Sequence, residues 1–478
     1  MAYQALGLGY FRIKVWGNAL TIGLSSFYWG FYIGVLSTST DYIAETLGWG
    51  STEKFVLVPL ISALFPLGAI FGALLFGGAF SKNLGRRKVL MYASLFGIIA
   101  SSIHAIPYTA SFAIGRFLCG VAGGVMSTVP SIFITEISPP DLSGRTGMVI
   151  QLMVTTAIFI SMLLGLALPV NPSHSNPMND WWIFMILFPI IPTTLQLFLF
   201  VFVYKHEPAS WLIERGDVRK ASMSARFFYN EEHAQTLVIK LNREYAKKEY
   251  DESKSSSSQT HIDNPTFCDL LKFSGVYKQM MVLGVGLQFL QQLSGVNAII
   301  NYSQMIFEEY NDNNRMRVRF FICGFGAVNM AATLLGFPFV DRFGRRPLLV
   351  IGEAAMLSAH LMIALLTVYQ ADELTIVILT FIFIVAFEIS LGPVVWLYCG
   401  EIMNDKGMSI AVACNWSCAF VVELTFSFLQ LGGNYIPYFI YSFICLGGLV
   451  FTLLYVKETK GRSKEDIKKY IMRPYGFN

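Results

Sequence analysis

Three glutamines, Gln288, Gln291 and Gln292, stand at i, i+3 and i+4 in a long apolar run, which sets them on one face of a helix. Side-chain amides both donate and accept hydrogen bonds. Within a membrane they are expensive unless they face a cavity or a partner helix. The spacing therefore marks either a face that grips a hydroxyl-bearing ligand or a seam between helices. Asn297 follows in the same run, but at about 100° per residue it falls roughly opposite Gln288. It can join the glutamines only if the helix breaks or twists between them, and Gly295 is the residue that permits this. In a second run, Glu388 and Trp396 share one helical stripe, with Gly392 and Pro393 between them. Pro393 removes a backbone donor and should kink that helix.

A second class of residues is charged and duplicated. LGRR ends at Arg87 and FGRR at Arg346, 259 residues later; TEI places Glu136 and GEI places Glu401, 265 residues later. Two motif pairs at nearly equal offset predict a repeated six-helix unit of parallel topology. Short Gly-Arg-Arg loops turn tightly, and their arginines can pair with acids at neighbouring helix ends. Glu136, Glu401 and Glu458 are such acids, with Arg116 and Arg346 as candidate partners. The alternative is a solvated basic loop that only sets topology.

These residues need elements to hold them. The chain has 478 residues, 54% hydrophobic and 14% charged, with 40 phenylalanines. Soluble domains carry roughly 25% charged residues, and only a bilayer covers this much apolar surface. Apolar runs near 13–36, 55–80, 88–107, 111–136, 147–170 and 181–204 are followed by others near 276–307, 317–340, 347–369, 373–399, 408–430 and 434–456. The expectation is an all-α polytopic membrane protein of twelve spans in a six-plus-six arrangement. Its units are 1–204, a cytoplasmic helical loop and flexible SSSSQ linker over 205–273, 274–456, and a cytoplasmic tail over 457–478. Lys82, Arg86, Arg87 and Lys88, the Arg342–Arg346 cluster, the central loop and the tail all fall on one side with both termini, which makes that side cytoplasmic. Arg315, Arg317 and Arg319 lie opposite. The seven cysteines form no CxxC pair and read as packed thiols, not as a metal site or disulfides. A net charge of +4 gives no nucleic-acid reading, and no nucleophile–base constellation points to an enzyme.

Gly115-Arg116-Phe117, QQLSGVNAIINYS at 291–303, DRFGRRPLL at 341–349, GPVVW at 392–396 and ETKGR at 458–462 occur in the order and spacing of sugar porter motifs. The chain resembles that family, within the major facilitator superfamily, over its whole length. The resemblance implies two six-helix bundles, a central site and alternating access. It implies a monosaccharide substrate, such as glucose, with no cofactor and no obligatory protein partner beyond the lipid bilayer, in the plasma membrane. By the same resemblance the sugar would meet Gln151, Gln288, Gln291, Gln292, Asn297, Asn329, Glu388, Trp396, Asn415 and Trp416. The charge network Arg116, Glu136, Arg345, Arg346, Glu401 and Glu458 would latch the outward-open state.

The sequence departs from the family pattern at Lys82, Asn83, Ser143, Met408, Ser210, Asn301 and Ala419. The latch is expected to be thinner than usual, with the second-half charges carrying more of it. Proton-coupled relatives commonly carry an Asp in the first span. Here the position is Tyr32, and no acid occurs from Val15 to Leu36. A tyrosine of pKa about 10 cannot cycle protons at neutral pH, which favours uniport. Glu423, mid-span in VVELTF, keeps a proton-coupled sugar or polyol symporter open, and a non-transporting sensor is a third reading. His360 reads as a packed histidine. The two glycosylation patterns, at Asn301 and Asn415, fall inside spans and read as chance.

Overall fold

The computed structural model describes residues 9–139, 141–169, 180–254, 266–273, 277–303, 306, 315–370, 373–462, 466–467 and 470–471. The SSSSQ linker and most of the tail lie outside the described residues. Among those described, the secondary structure is helical apart from one isolated bridge between Tyr10 and Tyr229.

The first half begins with α1 (Arg12–Gly34), which bends by 54° into α2 (Leu36–Thr46). There follow α3 (Ser51–Leu84), α4 (Arg86–His104), α5 (Thr109–Ile137), α6 (Ser143–Gly165) and α7 (Trp181–Phe202). The second half holds α12 (Lys278–Leu293), α13 (Val296–Asn301), α14 (Arg315–Phe343), α15 (Arg345–Val368), α16 (Glu373–Ile389), α17 (Leu391–Ile402), α18 (Asp405–Gln430) and α19 (Ile436–Tyr455). With α1–α2, α12–α13 and α16–α17 each counted as one bent helix, the described residues form twelve long helices, six in each half, of which nine, or ten with the bent α1–α2 pair, are long and apolar enough to cross a membrane by themselves.

Small residues set the closest packing. A Cβ on Gly68 would lie 2.0 Å from the Phe117 carbonyl, and one on Gly124 2.1 Å from that of Ala69, so α3 and α5 approach backbone to backbone. Across the bundles, α3 packs on α18 and α6 on α14.

Between the halves, α8 (Ala209–Glu214), α9 (Val218–Phe228) and α10 (Glu231–Lys254) build their own small core around Leu212, Ala225 and Val238, and α11 (Phe267–Leu271) follows. Trp211 Nε1 donates to the Lys82 carbonyl at 2.8 Å, and Arg215 donates to the Lys82 and Asn83 carbonyls at 2.8 and 2.9 Å. The segment before α1 is held as well: Phe11 N donates to Phe228 O at 2.8 Å and Asn230 N to Gly9 O at 2.9 Å.

Two breaks shape the second half. After Leu293 the chain turns at Gly295, whose φ of +88° is left-handed, and a Cβ there would meet the Tyr441 ring at 2.5 Å. His360 Nε2 lies 2.9 Å from the Ser294 carbonyl exposed by this break, packed against Phe383. The other break is at Ser390 (φ −124°, ψ −98°), three residues before Pro393. The kink expected at Pro393 lies upstream because proline's ring and missing N–H act on the preceding turn.

Candidate functional site

The break at Gly295 turns Asn297 back toward the glutamines. Asn297 Nδ2 donates to Gln292 Oε1 at 2.8 Å, and Gln292 Nε2 donates to Asn415 Oδ1 at 3.0 Å. Asn415 Nδ2 in turn donates to Gln291 Oε1 at 2.9 Å and to the Gln288 carbonyl at 3.0 Å. Gln291 Nε2 reaches the Leu391 and Gly392 carbonyls at 3.0 and 2.9 Å, in the first turn of α17 just after the Ser390 break. The four amides of Gln291, Gln292, Asn297 and Asn415 therefore form one buried chain of hydrogen bonds on α12, α13 and α18. The Gln288 and Asn329 amides, also buried, make no hydrogen bond beyond the weakly polar Cys399 thiol beside Gln288.

Glu388 joins the bundles. Gln151 Nε2 on α6 donates to its two oxygens at 3.2 and 3.0 Å, and Thr333 Oγ1 on α14 donates to Oε2 at 2.9 Å. The aromatic wall also crosses the boundary. Trp29 on α1 lies 5.8 Å, ring centre to ring centre, from Trp396 and 5.6 Å from Trp416. Trp416 Nε1 donates to Ser127 Oγ on α5 at 3.0 Å, with the Phe65 ring 5.7 Å away. Asn415 lies ten residues along α18 from Asp405, about 15 Å at 1.5 Å per residue, near mid-membrane. Eight of the ten side chains singled out for the ligand take part in these contacts, while those of Gln288 and Asn329 are buried on α12 and α14 without a hydrogen bond to the others. The structure adds Trp29, Ser127 and Thr333. Trp29 was signalled by the same SSFYWGFYIGV run that presents Tyr32; Ser127 and Thr333 have no sequence signal.

The charges gather at one end. Arg86 Nε and Nη2 donate to Glu136 at 3.0 and 2.8 Å, and Nη2 also reaches Asp405 of the other bundle at 3.1 Å. Arg345 Nη2 donates to Glu401 at 2.6 Å, and Thr459 Oγ1 closes on the other Glu401 oxygen at 2.6 Å. Each GRR helix is capped by an acid from the segment after its bundle. Glu207 accepts from Arg87 N and Lys88 N at 2.9 and 3.1 Å, and Glu458 accepts from Arg345 N and Arg346 N, both at 3.0 Å. Burial pushes the Glu207 carboxyl above its ordinary range, and those amides oppose the shift.

Three expectations are corrected. Arg116 is not in this cluster: it is twenty residues from Glu136 along α5, roughly 30 Å away, and its guanidinium donates to the Tyr32 carbonyl at 2.8 Å. Arg346 binds the Leu453 carbonyl at 2.7 Å instead of an acid side chain, and Arg345 takes the pairing role. The ion pair between bundles belongs to the first-half Arg86, not to the second-half arginines. Arg86, Asp405 and Glu207 were missed, although the 259-residue offset that pairs Arg345 with Arg86 was visible in the sequence.

Twelve long helices in two bundles, with a buried polar and aromatic cluster between them, define a multi-pass membrane carrier and not an enzyme. The family model described as "Sugar (and other) transporter" matches residues 13–470, and the chain belongs to that family. Hexose transporter 1 of Plasmodium knowlesi is 27% identical over 456 residues, covering 92% of this chain and 89% of that protein. The facilitated trehalose transporter Tret1 of Bombyx mori is 26% identical over 479 residues, covering 96% and 86%. Among solved structures, the proton:xylose symporter XylE bound to 6-bromo-6-deoxy-D-glucose superposes with a TM-score of 0.83 at 23% identity, covering 96% of this chain and 99% of that one. That likeness concerns the fold.

Proposed function

We propose that the protein carries a monosaccharide, a hexose such as glucose, by facilitated uniport, and that its two bundles rock about the amide cluster to expose it to each side in turn. The observation that carries this reading is the cluster itself. Four linked amides, the buried Gln288 and Asn329 amides, and three tryptophan rings offer paired donors and acceptors beside apolar ring faces. That is the chemistry of a neutral ring with hydroxyls on its edge and C–H bonds on its face. The names of the relatives, hexose and trehalose transporters, support the substrate class. Uniport is supported by Tyr32, whose hydroxyl is fixed between Ser101 Oγ at 2.7 Å and the Ile186 carbonyl at 2.9 Å where an acid would be needed.

In this reading the Arg86–Glu136–Asp405 and Arg345–Glu401 cluster is the cytoplasmic latch, both termini are cytoplasmic, and the membrane is the plasma membrane. Residues 1–204 and 274–456 move as units joined by 205–273, with the tail at 457–478. The test is reconstitution in liposomes with a panel of labelled hexoses, pentoses and polyols. Equilibration of a hexose, competed by related sugars, is the expected result. No uptake of any of them sinks the assignment.

A further inference from the structure

Arg315, Arg317 and Arg319 open α14, at the end of the molecule opposite the Arg86–Asp405 contact. Arg319 is buried, and its guanidinium reaches into the other bundle. Nη1 donates to the Leu168 carbonyl at 2.5 Å and Nη2 to the Pro169 carbonyl at 3.2 Å. Both carbonyls follow the end of α6 at Gly165, so one side chain of the second half grips the backbone of the first. The local chain explains why they are on offer. α6 tightens as it ends: the N–H groups of Leu166, Ala167 and Leu168 donate to the Leu163, Leu164 and Gly165 carbonyls at 3.1, 3.2 and 3.3 Å. Trp181 Nε1, from the same half, donates to the Leu164 carbonyl at 2.9 Å. The carbonyls just beyond this turn are met by Arg319 instead. A helix C-terminus carries partial negative charge, and the fork of a guanidinium suits two successive carbonyls.

The two helices meet closely below this contact. Gly326 lies two turns along α14 on the same face as Arg319, and a Cβ there would stand 2.7 Å from Met162 Sδ and 3.2 Å from the Phe159 Cα of α6. Depth decides what the contact can do. Arg319 is twenty-four residues before Phe343, about 36 Å along α14 from the charge cluster. Phe55 of α3 and Phe428 of α18 meet across the bundles at the same end, with ring centres 5.9 Å apart. When the bundles part at this face, the two bonds to Arg319 break and water takes up both the guanidinium and the carbonyls. When they part at the charged face, the bonds can stay. Hydrogen bonds from an ionised donor are stronger than neutral ones, and here they favour the closed state of one face alone.

We propose that Arg319 is a clasp that holds the carrier shut on the face opposite the Arg86–Asp405 contact, by capping the C-terminal end of α6 from the other bundle. The clasp rests on the rocking of the two bundles put forward above but not on which sugar is carried. Its test therefore uses no ligand, and a sugar panel without uptake would leave it standing. Spin labels on cysteines at positions 55 and 428, in a background freed of reactive native cysteines, report the width of this face away from Arg319 itself. Arg319→Met keeps an apolar stem of similar reach but no donor, and should raise the long-distance population severalfold. Arg319→Lys keeps a cation at the helix end and should stay close to the parent. Where Arg319→Met fails to fold, Arg319→Gln, which is neutral and has one donor group, should open the face in the same sense. An unchanged distribution in the neutral variant, or an equal opening in Arg319→Lys, overturns the clasp.

Discussion

Gln291 ties two carbonyls in the first turn of α17 to the Asn415 amide. Gln291→Ala removes these bonds, and hydroxyl contacts to the sugar are lost with them. The expected cost is roughly 1–3 kcal/mol of sugar affinity, about five- to 150-fold, read by equilibrium binding to the purified protein. Unaltered affinity would place the sugar elsewhere. Trp29→Ala should slow transport, because it removes the ring that contacts both Trp396 and Trp416, whereas Trp29→Phe should retain most of it. Residue types at this site were legible, since an amide or acid in an apolar run is conspicuous. Their partners were not. Gln151 and Glu388 meet across 237 residues of sequence, and no local pattern encodes which distant polar group faces which.

Among the helices, the break at Gly295 decides the geometry of the amide chain. Gly295→Ala must hold an L-residue at φ +88° with its Cβ against Tyr441. A left-handed conformation costs roughly 1–2 kcal/mol in an L-residue, before any clash. The variant should lose thermal stability and sugar binding together, checked by the melting temperature with and without sugar. A protein that melts and binds as the parent would show that the break is incidental. This break could be read in advance because Asn297 and Gln288 fell on opposite sides of an uninterrupted helix. The residue of the other break could not, since Pro393 signals that the preceding turn yields but not which residue in that turn.

For the whole molecule, the issue is what drives flux. With Tyr32 bound to Ser101 and Ile186 and no acid beside it on α1, net sugar movement should stop at equal concentrations. Liposomes with an inward proton gradient, clamped by potassium and valinomycin, check this. Accumulation above the external level that an uncoupler abolishes would show symport, and Glu423→Gln would be the first variant to examine. At this scale the repeat was the legible feature: nearly equal offsets between the GRR pair and the acid pair foretold two similar bundles, while the mistaken place of Arg116 came from reading a motif without its depth in the membrane. One contact also has a consequence in time. Gly9–Phe11 is bridged by Phe228–Asn230, which leave the ribosome 219 residues after their partner. At about 5–20 residues per second, that segment waits roughly 10–40 s, until the first six spans have been made, before it can be tied down. The tie therefore acts as a late seal on a finished half, and a ribosome-stalled chain ending before Phe228 should leave Gly9–Phe11 open to protease that the full-length protein resists.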